Sequence, residues 1–271
     1  MKVRWIAITL LGFYTNAIAY EPVTQVTASE NAALASVLAD TSYLARIGLK
    51  AEPIVSDIYN TFYSSQAEQL SIVELIKFGA KWEDTRGKYQ GKYHFFNPLT
   101  GKGKTQLGIE IGAPSPSWAL EDNAQFADQP FSYRKARQYF LNALTSGARS
   151  DRDSNWGLTF QTLGHVIHHV QDMAQPQHTR DDAHCDILPC ALTGAAGFSK
   201  TNIETWTKDN APPEFFQGYA PVFWIGGGKG VAEFSNRNFF TAGTNADTTT
   251  FEAPKLSGGP GQKIDDGRSL L

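Results

Sequence analysis

Five of the six histidines lie in one short segment, and their spacing is typical of a metal site. The segment covers residues 165–184 and reads HVIHHVQDMAQPQHTRDDAH. Within it His168 and Asp172 are four residues apart, so a helix places them side by side with about 5–6 Å between their Cβ atoms. An imidazole and a carboxylate in this arrangement can bind one cation together.

The residues that follow this pair strengthen the metal interpretation. The alternative is an Asp–His pair hydrogen bonded within the core, because either group left unpaired there costs roughly 2–7 kcal/mol. Pro176 ends the helix, and His178 can then face back toward the helix end. Further candidate ligands follow at once, at Asp181, Asp182 and His184. This density of ligand-type side chains favours a metal site over a simple core pair.

The two remaining histidines of the segment have no such support. His165 lies about one turn before His168 and is a candidate to orient a metal ligand. His169 is expected to point to a different face of the helix. We interpret His165 and His169 as packing or surface histidines.

The elements that must position these residues are predicted to be helices. Convincing strand alternation is nearly absent, and the region 155–173 is apolar on more than one face, as in the central helix of an all-helical fold. We therefore predict an all-α fold, a single multi-helix domain with long loops around a central metal-binding helix. The predicted helices cover 30–49, 54–62, 67–78, 133–146, 155–173, 201–208 and 229–240, and the predicted irregular segments cover 82–103 and 112–116.

Composition and charge exclude several classes of protein. Of the 271 residues, 41% are apolar and 19% are charged, which is ordinary for a globular chain and too apolar for a disordered one. The net charge of −3 argues against a protein that coats nucleic acid through bulk phosphate attraction. No internal stretch reaches the roughly 18–20 apolar residues of a membrane span.

The first residues are predicted to be a secretory signal. Lys2 and Arg4 precede an apolar run that ends in Ala17-Ile18-Ala19, a good cleavage site for a signal peptidase. The alternative is an uncleaved membrane anchor, for which the run is short. We expect a signal peptide at 1–19, a helical domain at 20–240 and a loosely structured tail at 241–271, in a secreted or periplasmic protein.

The two cysteines agree with export. Cys185 and Cys190 are spaced C-x4-C, which in an oxidising compartment indicates a small disulfide loop. The alternative is half of a zinc site, but no second pair of cysteines accompanies them.

Taken together, these segments resemble the secreted zinc-dependent phospholipases C, a superfamily related to the fungal single-strand nucleases. The helix motif H-x3-D-x5-H carries the match most specifically. Upstream, Y-H-F-F-N-P-L-T-G resembles the H-F-Y-D-P segment of the phospholipases, and G-A-K-W-E-D resembles their stretch with an acidic ligand. Downstream, N-I-E-T-W resembles their Y-E segment.

The resemblance implies a set of zinc ligands in two groups. One zinc ion would be held by Asp84, His94, His168 and Asp172, and a second by His178, His184 and Glu204. The phospholipases place a His four residues before the closing Glu, where this chain has Lys200, so His184 is the candidate to replace it. A third zinc ion of the family uses an N-terminal Trp and a nearby His. The mature chain would start at Tyr20 and has no His before His94, so we expect two ions.

The resemblance also implies a reaction. Zinc with an open coordination position lowers the pKa of bound water toward about 7, and a metal pair stabilises both oxygens of an in-line displacement at phosphorus. Asp84 would be either a ligand or the base for the attacking water. We therefore expect a zinc-dependent phosphodiesterase that hydrolyses phospholipid in the manner of a phospholipase C.

Two other functions remain as alternatives. A single-strand nuclease of the same superfamily is disfavoured by the acidic net charge and by T-R-D-D, where the fungal nucleases have a Gly-Gly-Asn segment. A catalytically degenerate, metal-stabilised binding protein is the second alternative. We expect a phospholipid or other phosphodiester substrate and no stable nucleic-acid partner. Peripheral contact with a membrane surface could involve Trp82, Phe95 and Phe96, which are equally plausible as core residues.

Overall fold

The structure, a computed structural model, is predominantly helical. It describes residues 22–46, 48, 54–55, 69–84, 90–106, 108–121, 126, 129–181 and 230–238. Of these residues 69% are helical and 5% are in strands, which confirms the predicted all-α fold. Among them, no helix has both the length and the apolar character needed to cross a membrane.

The regular elements are eight helices and two pairs of very short strands within the described residues. The helices are α1 (Pro22–Leu34), α2 (Thr41–Arg46), α3 (Ile72–Glu83), α4 (Ser115–Leu120), α5 (Tyr133–Thr145), α6 (Arg149–Asp172), α7 (Pro176–Arg180) and α8 (Val231–Asn238). Short 3-10 turns lie at Val37–Ala39 and Gln90–Tyr93. The antiparallel strand pairs are β1 (Ile54–Val55) with β2 (Gln69–Leu70), and β3 (Thr105–Gln106) with β4 (Ile109–Glu110).

Helix α6 is the centre of the fold, because α1, α3, α4 and α5 all pack against it. Its closest neighbour is α3, and glycines allow the contact. A Cβ atom on Gly79 of α3 would lie 2.0 Å from the carbonyl oxygen of Gln161, and one on Gly164 of α6 would lie 2.1 Å from that of Ile76. The two backbones therefore touch, which brings the end of α3 next to the histidines of α6.

Helix α3 has a well-defined start and an apolar inner face. The Ser71 hydroxyl accepts from the Glu74 backbone N–H, and the Glu74 carboxylate accepts from the Ser71 backbone N–H, which forms a capping box. The apolar core beneath the helix contains Ala33, Leu44, Ile72, Leu75, Ile76 and Phe160. Packing of this face fixes the direction in which the C-terminal end of α3 points.

The loop that carries His94 is held at several points. The Phe95 carbonyl accepts a hydrogen bond of 2.9 Å from the Ser115 backbone N–H at the start of α4. The Phe96 N–H donates to the carbonyl of His178 in α7 at 3.0 Å. Asp181 directly follows α7 and pairs with Lys104 at 2.8 Å. Because Lys104 directly precedes β3, this pair connects the end of α7 to that strand.

Three of the predicted helices are confirmed. The prediction for 133–146 corresponds to α5, and the central helix predicted at 155–173 is α6, which begins six residues earlier at Arg149. The prediction for 229–240 corresponds to α8.

Other boundaries differ from the prediction for local reasons. A single helix at 30–49 is wrong, because α1 ends at Leu34 and the Asp40 carboxylate caps a separate helix, α2, by accepting from the backbone of Ser42 and Tyr43. A helix over 54–62 is wrong at its start, because Ile54 and Val55 pair with β2.

Three further predicted boundaries are displaced. The helix predicted at 67–78 starts only after the Ser71 cap and continues to Glu83, inside the segment predicted as irregular. The segment predicted as irregular at 112–116 already contains the start of α4 at Ser115. The predicted signal, the cysteine pair, the helix at 201–208 and the tail lie outside the described residues.

Candidate metal centre

Five of the seven predicted metal ligands come together at one buried point. Asp84 caps the C-terminal end of α3, His168 and Asp172 lie in the last two turns of α6, His178 lies on α7, and His94 lies in the loop after the second 3-10 turn. Each of the four other side chains is fully buried and that of Asp84 is 3% exposed. His184 and Glu204, the other two predicted ligands, lie outside the described residues.

Three of these side chains, Asp84, His94 and His168, form one potential metal-binding group. The Nδ1 atom of His94 lies 3.1 Å from His168 Nε2 and 3.6 Å from Asp84 Oδ1, and His168 Nε2 lies 3.4 Å from Asp84 Oδ1. Tetrahedral ligands with bonds of about 2.0–2.2 Å are about 3.3–3.6 Å apart, so these three atoms lie close to the spacing that one metal ion requires. Asp172 contacts both histidines, at 2.9 Å from His94 Nδ1 and 3.5 Å from His168 Nε2, and forms a second group with His94 and His178.

The buried carboxylate of Asp84 gives a second reason to place a cation here. Neither of its oxygens accepts a hydrogen bond of good geometry from the part of the chain that the structure describes, although His168 Nε2 lies 3.4 Å from Oδ1. A buried ionised carboxylate with such weak partners is unfavourable. A metal ion bound by Asp84, His94 and His168 would compensate the charge, so the donor set fits a metal.

Two backbone carbonyls fix the orientation of the ligand histidines. The Nδ1–H group of His168 donates to the carbonyl oxygen of Ala80 at 2.7 Å, and that of His178 donates to the carbonyl oxygen of His94 at 2.8 Å. A carbonyl oxygen can only accept, so the proton of each neutral ring lies on Nδ1. The Nε2 atom of each ring then carries the lone pair that a metal needs.

His178 lies at the edge of this group. Its Nδ1 atom is 3.9 Å from Asp172 Oδ2, and one potential metal-binding group consists of His94, Asp172 and His178. Its ring stacks on that of Phe95, with centroids 4.7 Å apart. Because Phe95 is buried, it is a core residue that supports His178, and its predicted contact with a lipid surface is wrong.

Glu83 forms a second buried layer behind the ligands, which the sequence analysis missed. One carboxylate oxygen accepts from His165 Nδ1 at 2.5 Å, and the other accepts from His169 Nε2 at 3.1 Å. On the far side of its ring, His169 Nδ1 lies 3.0 Å from the hydroxyl of Ser115. Since Ser115 also binds the Phe95 carbonyl, this chain of contacts supports the loop that carries the ligand His94.

This layer corrects the interpretation of His165 and His169. The packing alternative is confirmed and the surface alternative is wrong, since both side chains are almost completely buried. His169 does not point away from the site, because its ring centroid lies 4.9 Å from that of His94. The spacing of His165 and His169 does not indicate that the two share a partner. The signal that the sequence does offer is that Glu83 directly precedes the predicted ligand Asp84.

Gln25 enters the site from α1. Its side-chain amide donates to Asp172 Oδ1 at 3.3 Å, and the same nitrogen lies 3.2 Å from His168 Nε2. Gln25 is 147 residues away from Asp172 in sequence, and no local pattern marks it. It contacts Oδ1 of Asp172, whereas His94 of the loop contacts Oδ2.

The charges at the site favour a cation even without a metal. Burial disfavours the charged form of His168, but the nearby carboxylates of Asp172 and Asp84 outweigh it and raise the pKa of His168 to about 10. Burial opposes ionisation of Asp172 as well, yet the surrounding imidazoles hold the pKa of this carboxyl well below its usual range. The pKa of His94 is also raised, by Asp172 and Asp84 against the effect of burial. Protons therefore occupy the place that a metal ion would take.

The outer layer has a different protonation state. The pKa of Glu83 is held well below its usual range, because its hydrogen bonds to His165 and His169 outweigh burial. Burial lowers the pKa of His169, so this ring is neutral. Its Nε2 atom donates to Glu83 and its Nδ1 atom accepts from the Ser115 hydroxyl, which fixes the ring orientation.

No protein-family model, no curated protein and no solved structure matches this chain. The function of the protein is therefore inferred from the geometry of the site. Two buried groups that share His94, one with Asp84 and His168 and one with Asp172 and His178, are held by outer hydrogen bonds and are suited to a divalent metal ion.

Proposed function

We propose that the protein is a secreted zinc-dependent phosphodiesterase that hydrolyses phospholipid in the manner of a phospholipase C. One observation carries the proposal. The facing nitrogens of His94 and His168 lie 3.1 Å apart. Carboxylate oxygens of Asp84 and Asp172 lie 2.9–3.6 Å from these two nitrogens. This set appears in the order and spacing that the resemblance to the zinc phospholipases implies.

The ligand types favour zinc over harder cations. Mg²⁺ and Ca²⁺ prefer shells made of oxygen, with six or more ligands. Here two of the four groups are imidazoles, which suit zinc and other transition metals. Mixed imidazole and carboxylate sets are typical of hydrolytic zinc sites.

Zinc with an open position would lower the pKa of a coordinated water toward about 7 and polarise a phosphoryl oxygen. The residues of the chain supply the rest of the site. The Oδ1 atom of Asp84 faces both His94 and His168, and its Oδ2 atom accepts no hydrogen bond within the described part of the chain. We propose that Oδ2 accepts the proton of the attacking water. Asp84 would then be both a ligand and the general base.

A second zinc ion would use His178 as its first ligand. Its Nδ1–H donates to the His94 carbonyl, so Nε2 is the atom that would bind the ion. His184 and Glu204 remain the proposed partners of His178. Two ions would allow one site to bind the attacking group and the other the leaving oxygen of a phosphodiester.

Phospholipid is the proposed substrate rather than polynucleotide. The net charge of −3 disfavours a long polyanion, and the residues after His178 read T-R-D where the fungal nucleases have their Gly-Gly-Asn segment. Asp181 of this segment pairs with Lys104 and is therefore occupied by a structural contact.

The proposal is tested by comparing substrates under one set of conditions. The purified full chain, loaded with zinc, should hydrolyse phosphatidylcholine micelles faster than single-stranded DNA at matched ionic strength. Asp84→Asn should abolish most turnover while the far-UV circular dichroism and thermal transition stay close to those of the wild type. Asp151→Asn, the same change at an exposed position in the first turn of α6, is the matched control and should keep full turnover.

The other outcomes separate the alternatives. Faster cleavage of DNA would place the protein with the nucleases. If protein with its full zinc complement cleaves neither substrate, the proposal is contradicted. A degenerate, metal-stabilised binding protein is then favoured.

A further inference from the structure

One side of α5 combines large apolar side chains with arginines on the protein surface. Tyr133 and Phe140 are each 43% exposed, and Leu141 and Leu144 are 52% and 55% exposed. Arg134 and Arg137 are exposed beside them. We call this surface the α5 flank, and it consists of Tyr133, Arg134, Arg137, Phe140, Leu141 and Leu144.

The flank is separate from the face by which α5 packs on the fold. The packing face contains the buried small residues Ala136 and Ala143, seven positions apart and therefore on nearly the same side of the helix. The flank lies next to this face. Phe140 also contacts Trp156 of α6, with ring centroids 5.2 Å apart, while Leu141 and Leu144 are more than half exposed. Together with Thr159 and Leu163 of α6, the flank residues other than Leu144 line an open groove of about 710 Å³. A contiguous exposed apolar surface of this kind marks an interaction site.

The helix that carries the flank is basic. Residues 133–145 contain three basic side chains and no acidic one, although the whole chain has a net charge of −3. The next basic residue, Arg149, pairs with Asp153 at 3.5 Å. Within the described residues Arg134 lies 3.6 Å from Glu121, whose carboxylate is fully buried and also accepts from Ser132. The solvent side of the flank is therefore cationic, and the occupant that complements it must be anionic and apolar together.

We propose that the α5 flank docks the protein onto the surface of an anionic phospholipid bilayer. The apolar side chains would enter the boundary between headgroups and acyl chains, while Arg134 and Arg137 would bind lipid phosphates. Each basic residue near such a surface strengthens binding about fivefold. A second copy of the chain complements the flank poorly, because it would bring two cationic surfaces together.

The flank and the metal centre lie at nearby levels of one helix. Leu163 of the groove and His168 of the metal centre are five residues apart on α6, which is about 8 Å along the helix axis and about 140° around it. Docking through the flank would therefore hold the protein at a lipid surface, with the metal centre on a different side of α6 from the docked face. The role of docking in lipid hydrolysis rests on the proposed function, but binding to vesicles can be measured without any turnover.

The test is cosedimentation of the full chain with vesicles. Wild-type protein should bind vesicles of phosphatidylcholine mixed with phosphatidylglycerol, bind pure phosphatidylcholine weakly, and dissociate as salt is raised. Arg137→Glu should weaken binding to the anionic vesicles about 25-fold, and Leu141→Ser with Leu144→Ser should weaken it at least tenfold. The matched control is Arg46→Glu with Leu34→Ser, the same changes at exposed positions of α1 and α2, and should bind as the wild type does.

Turnover of a soluble chromogenic phosphodiester separates this inference from the proposed function. Flank variants that lose vesicle binding but keep soluble turnover and thermal stability support the inference. Flank-dependent vesicle binding without soluble turnover supports docking and contradicts the enzyme. Soluble turnover with no binding to anionic vesicles, or with equal binding by wild type and flank variants, overturns the inference. A dimer that the flank variants convert to a monomer also overturns it, in favour of a second copy.

Discussion

Glu83 and His169 form a fully buried hydrogen bond of 3.1 Å directly behind the metal centre. The other oxygen of the same carboxylate binds His165, so one side chain of α3 holds two histidines of α6. Neither contact includes a proposed zinc ligand. Their effect on the metal passes through His169 to Ser115 and the loop of His94.

Glu83→Gln should therefore weaken zinc binding although Glu83 is not a proposed ligand. An amide cannot accept from both imidazoles as a carboxylate does, so His169 and the loop lose their fixed orientation. Loss of such an outer contact lowers metal affinity on the order of 10–100-fold. Competition with a chromogenic chelator measures the affinity, and the absorption spectrum of the cobalt-substituted protein reports the ligand geometry. Glu74→Gln, the same change at the exposed start of α3, should lower stability but leave affinity and spectrum unchanged.

Removal of the central ligand should remove metal. The purified wild-type chain should contain about two zinc ions, the number that a paired hydrolytic site holds. His168→Ala should lose the ion bound by Asp84, His94 and Asp172, and His178→Ala should lose the other. Elemental analysis measures the stoichiometry, with Gln138→Ala on the exposed side of α5 as the control. Full zinc content in both histidine variants would contradict the proposed ligand set.

Zinc uptake should release protons, and zinc affinity should rise with pH. Without metal, the pKa of His168 is about 10, so this ring holds its extra proton at neutral pH, and the pKa of His94 is also raised. Binding requires the neutral rings, so the extra proton must leave. Titration calorimetry in buffers of different ionisation enthalpy measures the release. A heat of binding that is the same in all buffers would contradict the protonated state of the His168 ring.

The same raised pKa predicts how the stability of metal-free protein depends on pH. A folded-state pKa above the unfolded value of about 6.5 contributes stability that is complete below pH 6.5 and is lost as the pH rises toward 10. Chemical denaturation of the chelated protein between pH 6.5 and 10 should show this loss. His168→Gln cannot titrate and should show a smaller decline over the same range.

The contact between α3 and α6 should not tolerate a side chain. Gly79→Ala places a Cβ atom 2.0 Å from the Gln161 carbonyl oxygen, so the helices must separate. Such overpacking costs about 1–3 kcal/mol of unfolding free energy or more. It should also weaken zinc binding, because α3 carries Asp84 and Ala80. Gly147→Ala meets nothing within 4 Å and should change the unfolding free energy by less than about 0.5 kcal/mol.

The sequence was sufficient for the ligands that lie within a helix or next to its end. The spacing of His168 and Asp172 on a periodic helix is local information, and Pro176 explains why His178 returns to the same place. Asp84 and His94 were found only through their resemblance to the phospholipase segments. The structure then brings them together in two overlapping potential metal-binding groups that share His94.

The parts that failed depend on tertiary contacts or on local caps. Gln25 and Glu83 act through partners more than 80 residues away, and each looks like an ordinary polar residue in its own segment. The helix predicted from Ile54 fails because those residues pair across to β2, a contact that periodicity cannot show. The break after α1 follows from the cap at Asp40, a single side chain within an otherwise helical pattern.

The reciprocal hydrogen bonds between His178 and the His94 loop have a consequence for the order of metal loading. The His178 ring donates to the His94 carbonyl, and the Phe96 N–H donates to the His178 carbonyl, so the two segments move as one unit. His94 belongs to the proposed first zinc site and His178 to the second. An ion that fixes either residue therefore pre-organises the other, and the two sites should fill cooperatively. At limiting zinc, most chains should be either empty or doubly loaded, with few in between.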